Sequence, residues 1–204
     1  MSSLEQQFGQ IDIYLFDQLL RGNIGPGMKI CDAGCGSGRN LVYFLRQGYE
    51  VFGVDPNPAA VRAVQQLAEK LAPHLPADNF RVERVESRTF PDELADVVIA
   101  SALLHFAESD QQFQAMLRGL WRVLKPGGLF FARLSSTIGM ERYVKPLDVP
   151  HRYRLPGGSE WYLVDEDMLQ RLTKELGASL VDPLKTSVVG HERAMTTWVL
   201  RKHR

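Results

Sequence analysis

The sequence has few cysteines, no excess of either charge and no long apolar run. Its 204 residues include two cysteines, Cys31 and Cys35, too few for a disulfide framework or paired cysteine ligands for zinc. Lys plus Arg and Asp plus Glu both number 24, so the basic footprint of a nucleic-acid-binding protein is missing. The longest apolar stretch, residues 97–104, is too short for a membrane span, and no signal segment is recognisable. We therefore expect a cytoplasmic protein.

The order of apolar and amphipathic segments predicts an α/β protein. Strand-like runs cover residues 28–32, 51–55, 80–85, 95–101 and 128–134, and helix-like segments cover 39–47, 58–71 and 111–123. Continuous apolar strands that alternate with helices indicate a parallel sheet with both faces covered. An amphipathic helix over 10–20 precedes this array.

The C-terminal third has a different pattern. An irregular stretch, 135–162, is rich in aromatic and charged residues, and a helix is predicted over 165–176. Two further strands, 179–189 and 195–201, are separated by a connection that contains "GHER". Such a short connection is enough only for a hairpin, because parallel neighbours need a dozen or more residues between them. The sheet is thus predicted to end in an antiparallel pair.

A glycine-rich loop, "DAGCGSGRN" over residues 32–40, follows the first strand. It lacks the spacing of a dinucleotide-binding loop, since the third glycine position falls on Arg39 and Gly38 comes one residue early. It also lacks the Gly-Lys-Ser/Thr ending of a nucleoside-triphosphate loop. Asp32 would repel a pyrophosphate but attract a cation, and Asp55 at the next strand end can accept hydrogen bonds from a ribose diol. These features favour a nucleoside that carries positive charge.

Four motifs in order carry a family resemblance: "DAGCGSGRN", "GVDPN", "DVVIASALLHF" and "VLKPGGLFF". They resemble the motifs of Rossmann-like (class I) S-adenosylmethionine-dependent methyltransferases, over nearly the whole chain. The sequence is similar to small bacterial enzymes of this class, including tellurite-resistance methyltransferases. The resemblance implies a three-layer, seven-stranded, mostly parallel sheet with a C-terminal antiparallel hairpin. It also implies a single domain over 1–204, with a helical cap at 1–27 and a substrate-side lid at 135–163.

The resemblance also assigns roles to individual residues. Backbone groups of the glycine loop and the Asp32 carboxylate would line the methionine end of the cofactor, and Asp55 would hold the ribose hydroxyls. The usual aspartate-alanine pair near adenine reads Glu86-Ser87 here, which departs from the family pattern. Pairing of Arg39 with the cofactor carboxylate is inferred from charge alone. The complete set of cofactor-binding candidates is Asp32, Gly34, Cys35, Gly36, Arg39, Asp55, Pro56, Glu86, Ser87 and Ser101.

The implied reaction is in-line displacement at the sulfonium methyl group by a small-molecule acceptor. His105, just past the fourth strand, is the candidate base if the acceptor must lose a proton, because an ordinary histidine pKa of about 6.5 suits that task. Its alternative role is packing at a helix start. The aromatic and basic residues of 135–162 could recognise an anionic or planar acceptor, or could be neutralised by Glu141, Asp148 and Glu160. Tyr14 points either toward the cofactor or into the packing of its helix.

Three functions remain open from the sequence alone. The leading one is methyl transfer to a small molecule, with S-adenosylmethionine as cofactor, no metal, no nucleic-acid or membrane partner, and a monomeric or homodimeric state. The second is an NAD(P)-dependent oxidoreductase, which the early Gly38, Asp32 and the terminal hairpin disfavour. The third is a non-catalytic protein that binds S-adenosylmethionine.

Overall fold

A twisted, mostly parallel sheet forms the centre of the molecule. The computed structural model describes residues 3–87 and 89–204. The strand order is β10-β11-β5-β4-β1-β2-β3, and β9 pairs with β11 on the outside of this path. The strands are β1 Lys29–Ala33, β2 Glu50–Asp55, β3 Phe80–Val82, β4 Ala95–Ser101, β5 Leu124–Ser136, β9 Ala178–Leu180, β10 Lys185–Val189 and β11 Arg193–Lys202. β1 to β5 run parallel, and β9, β10 and β11 meet their neighbours antiparallel.

In the described part of the chain, six α-helices cover the two faces of the sheet and the N-terminal side. They are α1 Leu4–Phe8, α2 Ile13–Leu20, α3 Val42–Arg46, α4 Pro58–Leu71, α5 Asp110–Val123 and α6 Glu166–Glu175. Alternate residues of each central strand enter two different cores: in β4, Val97 and Ile99 pack on the face of α2 to α4, and Val98 and Ala100 pack on the face of α5 and α6. Burial on both faces explains the continuous apolar runs of these strands. Within the described residues, no helix is long and apolar enough to cross a membrane.

The predicted architecture is confirmed, including the seven-stranded path and the final hairpin. Val189 pairs with Arg193 at the tip of the β10–β11 hairpin. The strand order reverses between β1 and β4, which both pair with other strands on their far sides. In open parallel sheets, ligands bind beyond the carboxyl ends of the strands at such a reversal. The glycine loop starts at this position.

Several predicted boundaries are wrong. The helix predicted over 10–20 begins only at Ile13, because the Asp12 carboxylate caps it by accepting the Tyr14 N–H. The strand predicted over 80–85 ends at Val82 and is followed by a 3₁₀ turn at Val85–Ser87. The strand predicted over 179–189 is two strands, since Pro183 lacks the N–H that a central strand needs.

Three other differences concern the length and order of segments. The helix predicted over 39–47 is limited to α3, and β5 already begins at Leu124 rather than at residue 128. The stretch 135–162, expected to be irregular, contains a second antiparallel sheet. Its strands are β6 Lys145–Pro146, β7 Arg152–Arg154 and β8 Glu160–Tyr162. These three strands are called the small sheet below.

Gly38, which comes too early for a dinucleotide-binding loop, has a packing reason to be there. Its φ is +86°, and a Cβ atom at this position would lie 2.8 Å from Val64 Cγ2 and 2.9 Å from Leu67 Cδ2. Gly38 thus allows the loop to lie directly against α4. Gly48 has a similar φ of +73° but has no atom within 4 Å of the corresponding Cβ position.

We predict that Gly38→Ala destabilises the chain more than Gly48→Ala. Both substitutions place alanine in the left-handed region, at a cost of about 1–2 kcal/mol. Only Gly38→Ala adds overpacking against α4, which typically costs about 1–3 kcal/mol more. Urea unfolding of both variants measures the difference, and equal losses of stability would contradict the packing role of Gly38.

Candidate active site

Three polar side chains converge at the carboxyl ends of neighbouring parallel strands. Asp32 lies near the end of β1, Asp55 ends β2 and Ser101 ends β4. Because β1 pairs with both β2 and β4, these ends lie side by side at the reversal of strand order. The glycine loop crosses this edge between Asp32 and Arg39.

Four N–H groups of the glycine loop donate to acceptors within the protein. Those of Gly34 and Cys35 both donate to the Val54 carbonyl, at 2.8 and 3.1 Å, and that of Gly38 donates to the Cys35 carbonyl at 2.9 Å. The Gly36 N–H donates to Asp55 Oδ2 at 3.0 Å. A phosphate-binding loop needs such donors directed at the ligand. Here a carboxylate already occupies the position that an anionic group would need.

Asp55 joins the glycine loop to the end of β2 and remains able to accept further hydrogen bonds. Its Oδ1 accepts the Asn57 N–H at 2.9 Å, while Oδ2 accepts the Gly36 N–H. Each carboxylate oxygen has two lone-pair directions, so one on each oxygen is left for a ligand. The residue is partly exposed. Asp55 is therefore suited to accept two hydroxyl groups from a diol.

Asp32 is a buried carboxyl group with an unusual pKa. The residue is only 2% exposed. Desolvation by burial raises its pKa from 3.8 to about 7, helped by the nearby Asp55 charge and opposed by Arg39. A cation bound beside this carboxyl group would lower its pKa and stabilise the charged form. The burial of Asp32 thus favours a positively charged ligand group.

Arg39 is held at the end of β4 by a neutral partner. Its Nη2 donates to Ser101 Oγ at 3.0 Å. Across the described residues, no carboxylate lies within ion-pair distance of this guanidinium. Asp32 and Arg39 therefore present opposite charges at the same end of the sheet, an arrangement that matches the ammonium and carboxylate of an amino acid.

Sequence reasoning missed a buried polar group beneath Arg39 and Ser101. The Asp12 carboxylate accepts from Ser101 Oγ at 3.2 Å and from Arg133 Nη1 at 3.0 Å. The Asp12 N–H donates to the Asn40 side-chain oxygen at 3.0 Å. Two signals were available: an aspartate just before a helix, which is a typical N-cap, and a charged Arg133 inside the apolar run of β5.

A cavity of about 210 Å³ opens beside the glycine loop, between the ends of β2 and β3 and the start of α5. Its lining includes Pro56, Glu86 and Phe106. The volume is below the roughly 300–1,000 Å³ usual for pockets that hold a whole ligand, so the cavity accommodates one part of a nucleoside. Glu86 Oε1 accepts from Gln112 Nε2 at 3.2 Å.

Two of the candidate residues, Ser87 and Cys35, do not direct their side chains to the cavity. Ser87 is exposed, does not line the cavity, and has its hydroxyl group 3.5 Å from the Arg84 carbonyl. The Cys35 side chain is buried against Gly53, where its Sγ lies 3.0 Å from the position of a Cβ atom. Burial raises the pKa of this thiol, so Cys35 contributes packing and backbone rather than a reactive sulfur.

His105 lies on the side of the small sheet. The residue is 2% exposed and its ring stacks on Trp161, with centroids 4.6 Å apart and planes at 28°. Burial lowers its pKa from 6.5 to about 4, so the ring is neutral at physiological pH. Its Nδ1 has no hydrogen-bond partner among the residues described. A buried polar atom without a partner is unusual, and a catalytic role is one of the explanations for it.

The charges of the small sheet are largely neutralised. Arg154 donates twice to Glu160 Oε1, at 3.1 and 2.6 Å, and Arg152 lies 4.0 Å from the same carboxylate group. Arg152 also donates to the Ala107 carbonyl at 3.1 Å. The structure therefore favours neutralisation over a free basic surface at Arg152 and Arg154.

The Tyr14 side chain of α2 has its own partners. Its hydroxyl group lies 2.7 Å from Ser187 Oγ in a hydrogen bond, and its ring faces the guanidinium of Arg133.

Comparison with known proteins identifies the family. Residues 31–132 match the sequence profile of a family described as methyltransferase domain. The chain belongs to this methyltransferase family. The matched range begins within β1 and contains β2 and β4, so it includes Asp32, Asp55 and Ser101 at the ends of these strands.

Two curated relatives show how far the similarity of this methyltransferase chain extends. A ubiquinone biosynthesis O-methyltransferase of Methylobacterium sp. is 32% identical over 116 residues, 55% of this chain and 44% of the relative. A thiol S-methyltransferase of Mus musculus is 35% identical over 121 residues, 57% of this chain and 47% of the relative. The chain spans about half the length of the curated relatives it matches.

A solved structure has the same fold. The 1,6-didemethyltoxoflavin-N1-methyltransferase of Burkholderia thailandensis, with bound 1,6-didemethyltoxoflavin and S-adenosylhomocysteine, superposes with a TM-score of 0.71 at 18% identity. The alignment covers 96% of this chain and 80% of that one. The likeness extends the shared fold beyond residues 31–132 to nearly the whole chain.

We predict that the stability of the ligand-free chain depends on pH through Asp32. Because the pKa of the Asp32 carboxyl in the folded state, about 7, lies above its ordinary value of 3.8, the native state binds the proton more tightly. This stabilisation is complete below about pH 4 and is lost as pH rises to 7, at about 1.4 kcal/mol per pKa unit. Asp32→Asn removes this stabilisation. In urea unfolding, the free energy of unfolding of the variant should therefore rise relative to that of wild type between pH 4 and pH 7.

The control for this prediction is Asp92→Asn. Asp92 is an exposed acid paired with Arg122, far from the site. Its substitution should leave the pH dependence of wild type unchanged. If the difference between wild type and Asp32→Asn is constant from pH 4 to pH 8, Asp32 does not have the raised pKa.

Proposed function

We propose that this chain is an S-adenosylmethionine-dependent methyltransferase that transfers a methyl group to a small-molecule acceptor. The observation that carries the proposal is the Asp55 carboxylate on the Gly36 N–H, which puts negative charge where a dinucleotide would need its pyrophosphate. This arrangement disfavours an NAD(P)-dependent oxidoreductase. Membership of the methyltransferase family supports the proposal independently.

The side chains around the glycine loop fit each part of S-adenosylmethionine. Asp32 would meet the ammonium and Arg39 the carboxylate, since they present opposite charges at the same strand ends. Asp55 would accept the ribose hydroxyls through its remaining lone pairs. Ser101 would lie beneath the methionine part. Other contacts would come from Gly34, Cys35, Gly36, Pro56, Glu86 and Ser87.

The adenine ring is assigned to the cavity beside Pro56 and Phe106. Its walls combine apolar side chains with the carboxylate of Glu86, which can accept a hydrogen bond from an exocyclic amine. Ser87 stays a prediction with weaker support, because it is absent from the lining of this cavity.

The contribution of the protein to such a reaction is mainly alignment. When bound, S-adenosylmethionine supplies a methyl group on a sulfonium sulfur, already activated for in-line displacement. Asp32, Arg39, Asp55 and the adenine cavity would hold the amino-acid end and the nucleoside, so that an acceptor need only be placed in line. Proximity and orientation of this kind contribute up to about 7–11 kcal/mol.

We assign the general-base role to His105. Its Nδ1 has no hydrogen-bond partner in the described structure, so it can receive a proton. Burial lowers its pKa to about 4, which makes the ring a weaker base than the ordinary histidine assumed from the sequence. It therefore suits an acceptor whose proton becomes strongly acidic as the methyl group is transferred. The ring lies under Trp161 of the small sheet. An acceptor would therefore approach between the small sheet and the end of β4.

The other parts of the chain receive roles consistent with this site. We infer that residues 1–204 act as one methyltransferase domain, in which 1–27 caps the cofactor side and 135–163 covers the acceptor. Met1, Ser2 and Arg88 lie outside the described residues. A cytoplasmic location, a monomeric or homodimeric state and the absence of a nucleic-acid partner stay predictions. O-, S- and N-methyltransferases among the similar proteins support a small-molecule acceptor.

Removal of the Asp55 carboxylate should abolish most cofactor affinity. Asp55→Ala loses hydrogen bonds between a charged group and the ribose, each worth about 1.5–3 kcal/mol. We expect the Kd for S-adenosylhomocysteine, measured by calorimetry, to rise well over tenfold. Asp92→Ala removes the same charge at a distance and should change Kd less than twofold. An unchanged Kd for Asp55→Ala would remove Asp55 from the site.

His105→Asn separates binding from catalysis. A panel of phenols, thiols and nitrogen heterocycles is screened with S-adenosylmethionine, and formation of S-adenosylhomocysteine is measured. With the acceptor that reacts, we expect kcat to fall by about 10²–10⁴ in the variant, because a general base is lost. Its Kd for S-adenosylhomocysteine should be unchanged. Full activity of the variant would contradict the role of His105, and a wild type that binds cofactor but methylates nothing would favour a non-catalytic protein.

A further inference from the structure

The Asp12 carboxylate connects the N-terminal helix to the ends of β4 and β5. Its side chain is 0% exposed. Oδ1 accepts the Tyr14 N–H at 3.0 Å, and Oδ2 accepts from Ser101 Oγ at 3.2 Å and Arg133 Nη1 at 3.0 Å. The Asp12 N–H donates to the side-chain oxygen of Asn40, the last residue of the glycine loop. Four separate segments therefore meet at one buried residue.

Helix capping alone does not explain a buried aspartate here. A cap needs one side-chain oxygen on a backbone N–H, which serine, threonine or asparagine supplies equally well. A buried carboxylate is costly unless it is paired and fully hydrogen-bonded. Only Oδ1 of Asp12 serves the helix, and both contacts of Oδ2 go to side chains at the ends of β4 and β5. The charge of Asp12 is thus directed at the site rather than at the helix.

Asp12 fixes the direction of the Ser101 hydroxyl group. A serine hydroxyl has one proton, and this one is donated to Asp12. The oxygen lone pairs of Ser101 are then directed at Arg39, whose Nη2 donates to it at 3.0 Å. If Asp12 were neutral, the hydroxyl could rotate and Arg39 would lose its fixed acceptor.

Asp12 also sets the balance of charge in this part of the site. Arg133 is only 25% exposed and is neutralised by Asp12 at 3.0 Å, and its Nε is buried without a partner in the described structure. With Arg133 neutralised, Arg39 is the guanidinium left to attract a carboxylate. Loss of the Asp12 charge would leave a second cation nearby, which would repel the ammonium of a bound amino acid.

We propose that Asp12 is a positioning residue for the amino-acid end of bound S-adenosylmethionine, acting through Ser101 and Arg39. This inference rests on the proposed function, because it assumes that Arg39 and Ser101 bind that end of the cofactor. It assigns a role in ligand binding to an N-cap residue that never touches the adenosine part.

Two nucleosides that differ only at the amino-acid end test this role. S-adenosylhomocysteine carries the ammonium and carboxylate, whereas 5′-methylthioadenosine keeps the adenine, the ribose and the thioether sulfur without them. Asp12→Asn preserves the helix cap, since asparagine is as good an N-cap as aspartate. We expect the Kd for S-adenosylhomocysteine to rise at least tenfold in this variant, and the Kd for 5′-methylthioadenosine to change less than twofold.

Asp17→Asn is the matched control. Asp17 lies on the same helix, is 39% exposed and pairs with Arg21 and Lys185, so the variant has the same change of charge without the buried contacts. Both dissociation constants should stay within twofold of wild type. If Asp12→Asn weakens the binding of both nucleosides by the same factor, or weakens the binding of neither, the positioning role is overturned. A wild type that binds neither nucleoside would instead overturn the proposed function, and this inference with it.

A double variant tests whether Asp12 acts through Ser101. Ser101→Ala removes the hydroxyl group that Asp12 orients. If the two residues act as one unit, Asp12→Asn with Ser101→Ala should weaken S-adenosylhomocysteine binding by a smaller factor than the product of the two single effects. If the fold-increase in Kd of the double variant equals the product of the two single fold-increases, the two residues act independently, which would contradict the proposal.

Discussion

The hydrogen bond from the Gly36 N–H to the Asp55 carboxylate determines what the end of this sheet can bind. It ties the glycine loop after β1 to the end of β2 and fills the position that an anionic group would need. The amides of Gly34 and Cys35 likewise donate within the protein, to the Val54 carbonyl. Gly34 and Gly38 therefore allow close packing, whereas the Gly36 N–H bonds a carboxylate rather than a phosphate. Gly38, pressed against α4, is the clearest case.

The remaining chemistry follows from where charge is buried. Asp32 has a pKa of about 7 because burial opposes its charged form more strongly than Arg39 favours it. Such a group is poised for a cation. The hydrogen bond that the structure gives the Arg39 guanidinium goes to a neutral hydroxyl group, so its charge is left to attract an anion. In the proposed function, the two would together bind a zwitterion, and Asp55 with the adjacent cavity would bind a nucleoside without phosphate.

The parts of the fold that depend on local pattern were predictable from the sequence. Apolar runs located the parallel strands, and a connection of a few residues was enough to predict the hairpin. Asp55 could be placed at the site because strand ends in a parallel sheet share one edge. By contrast, the end of β3 was misplaced, because its edge position and the following 3₁₀ turn depend on tertiary contacts.

Local pattern indicates Asp12 as an N-cap and Arg133 as a charge within a strand, but it does not indicate that the two side chains meet. Asp12 is 89 residues from Ser101 and 121 from Arg133 in sequence, and no periodicity connects them. The partners of the glycine-loop amides and the burial of His105 under Trp161 are likewise products of long-range packing. Residue types indicated the kind of site, and tertiary structure determined which atoms remain free in it.

The most direct test of the central claim is a crystal structure of the chain with S-adenosylhomocysteine. The account predicts the ribose diol on Asp55, the ammonium beside Asp32, and an intact hydrogen bond between the Gly36 N–H and the Asp55 carboxylate. A nucleoside bound elsewhere, or a ribose turned away from Asp55, would contradict it.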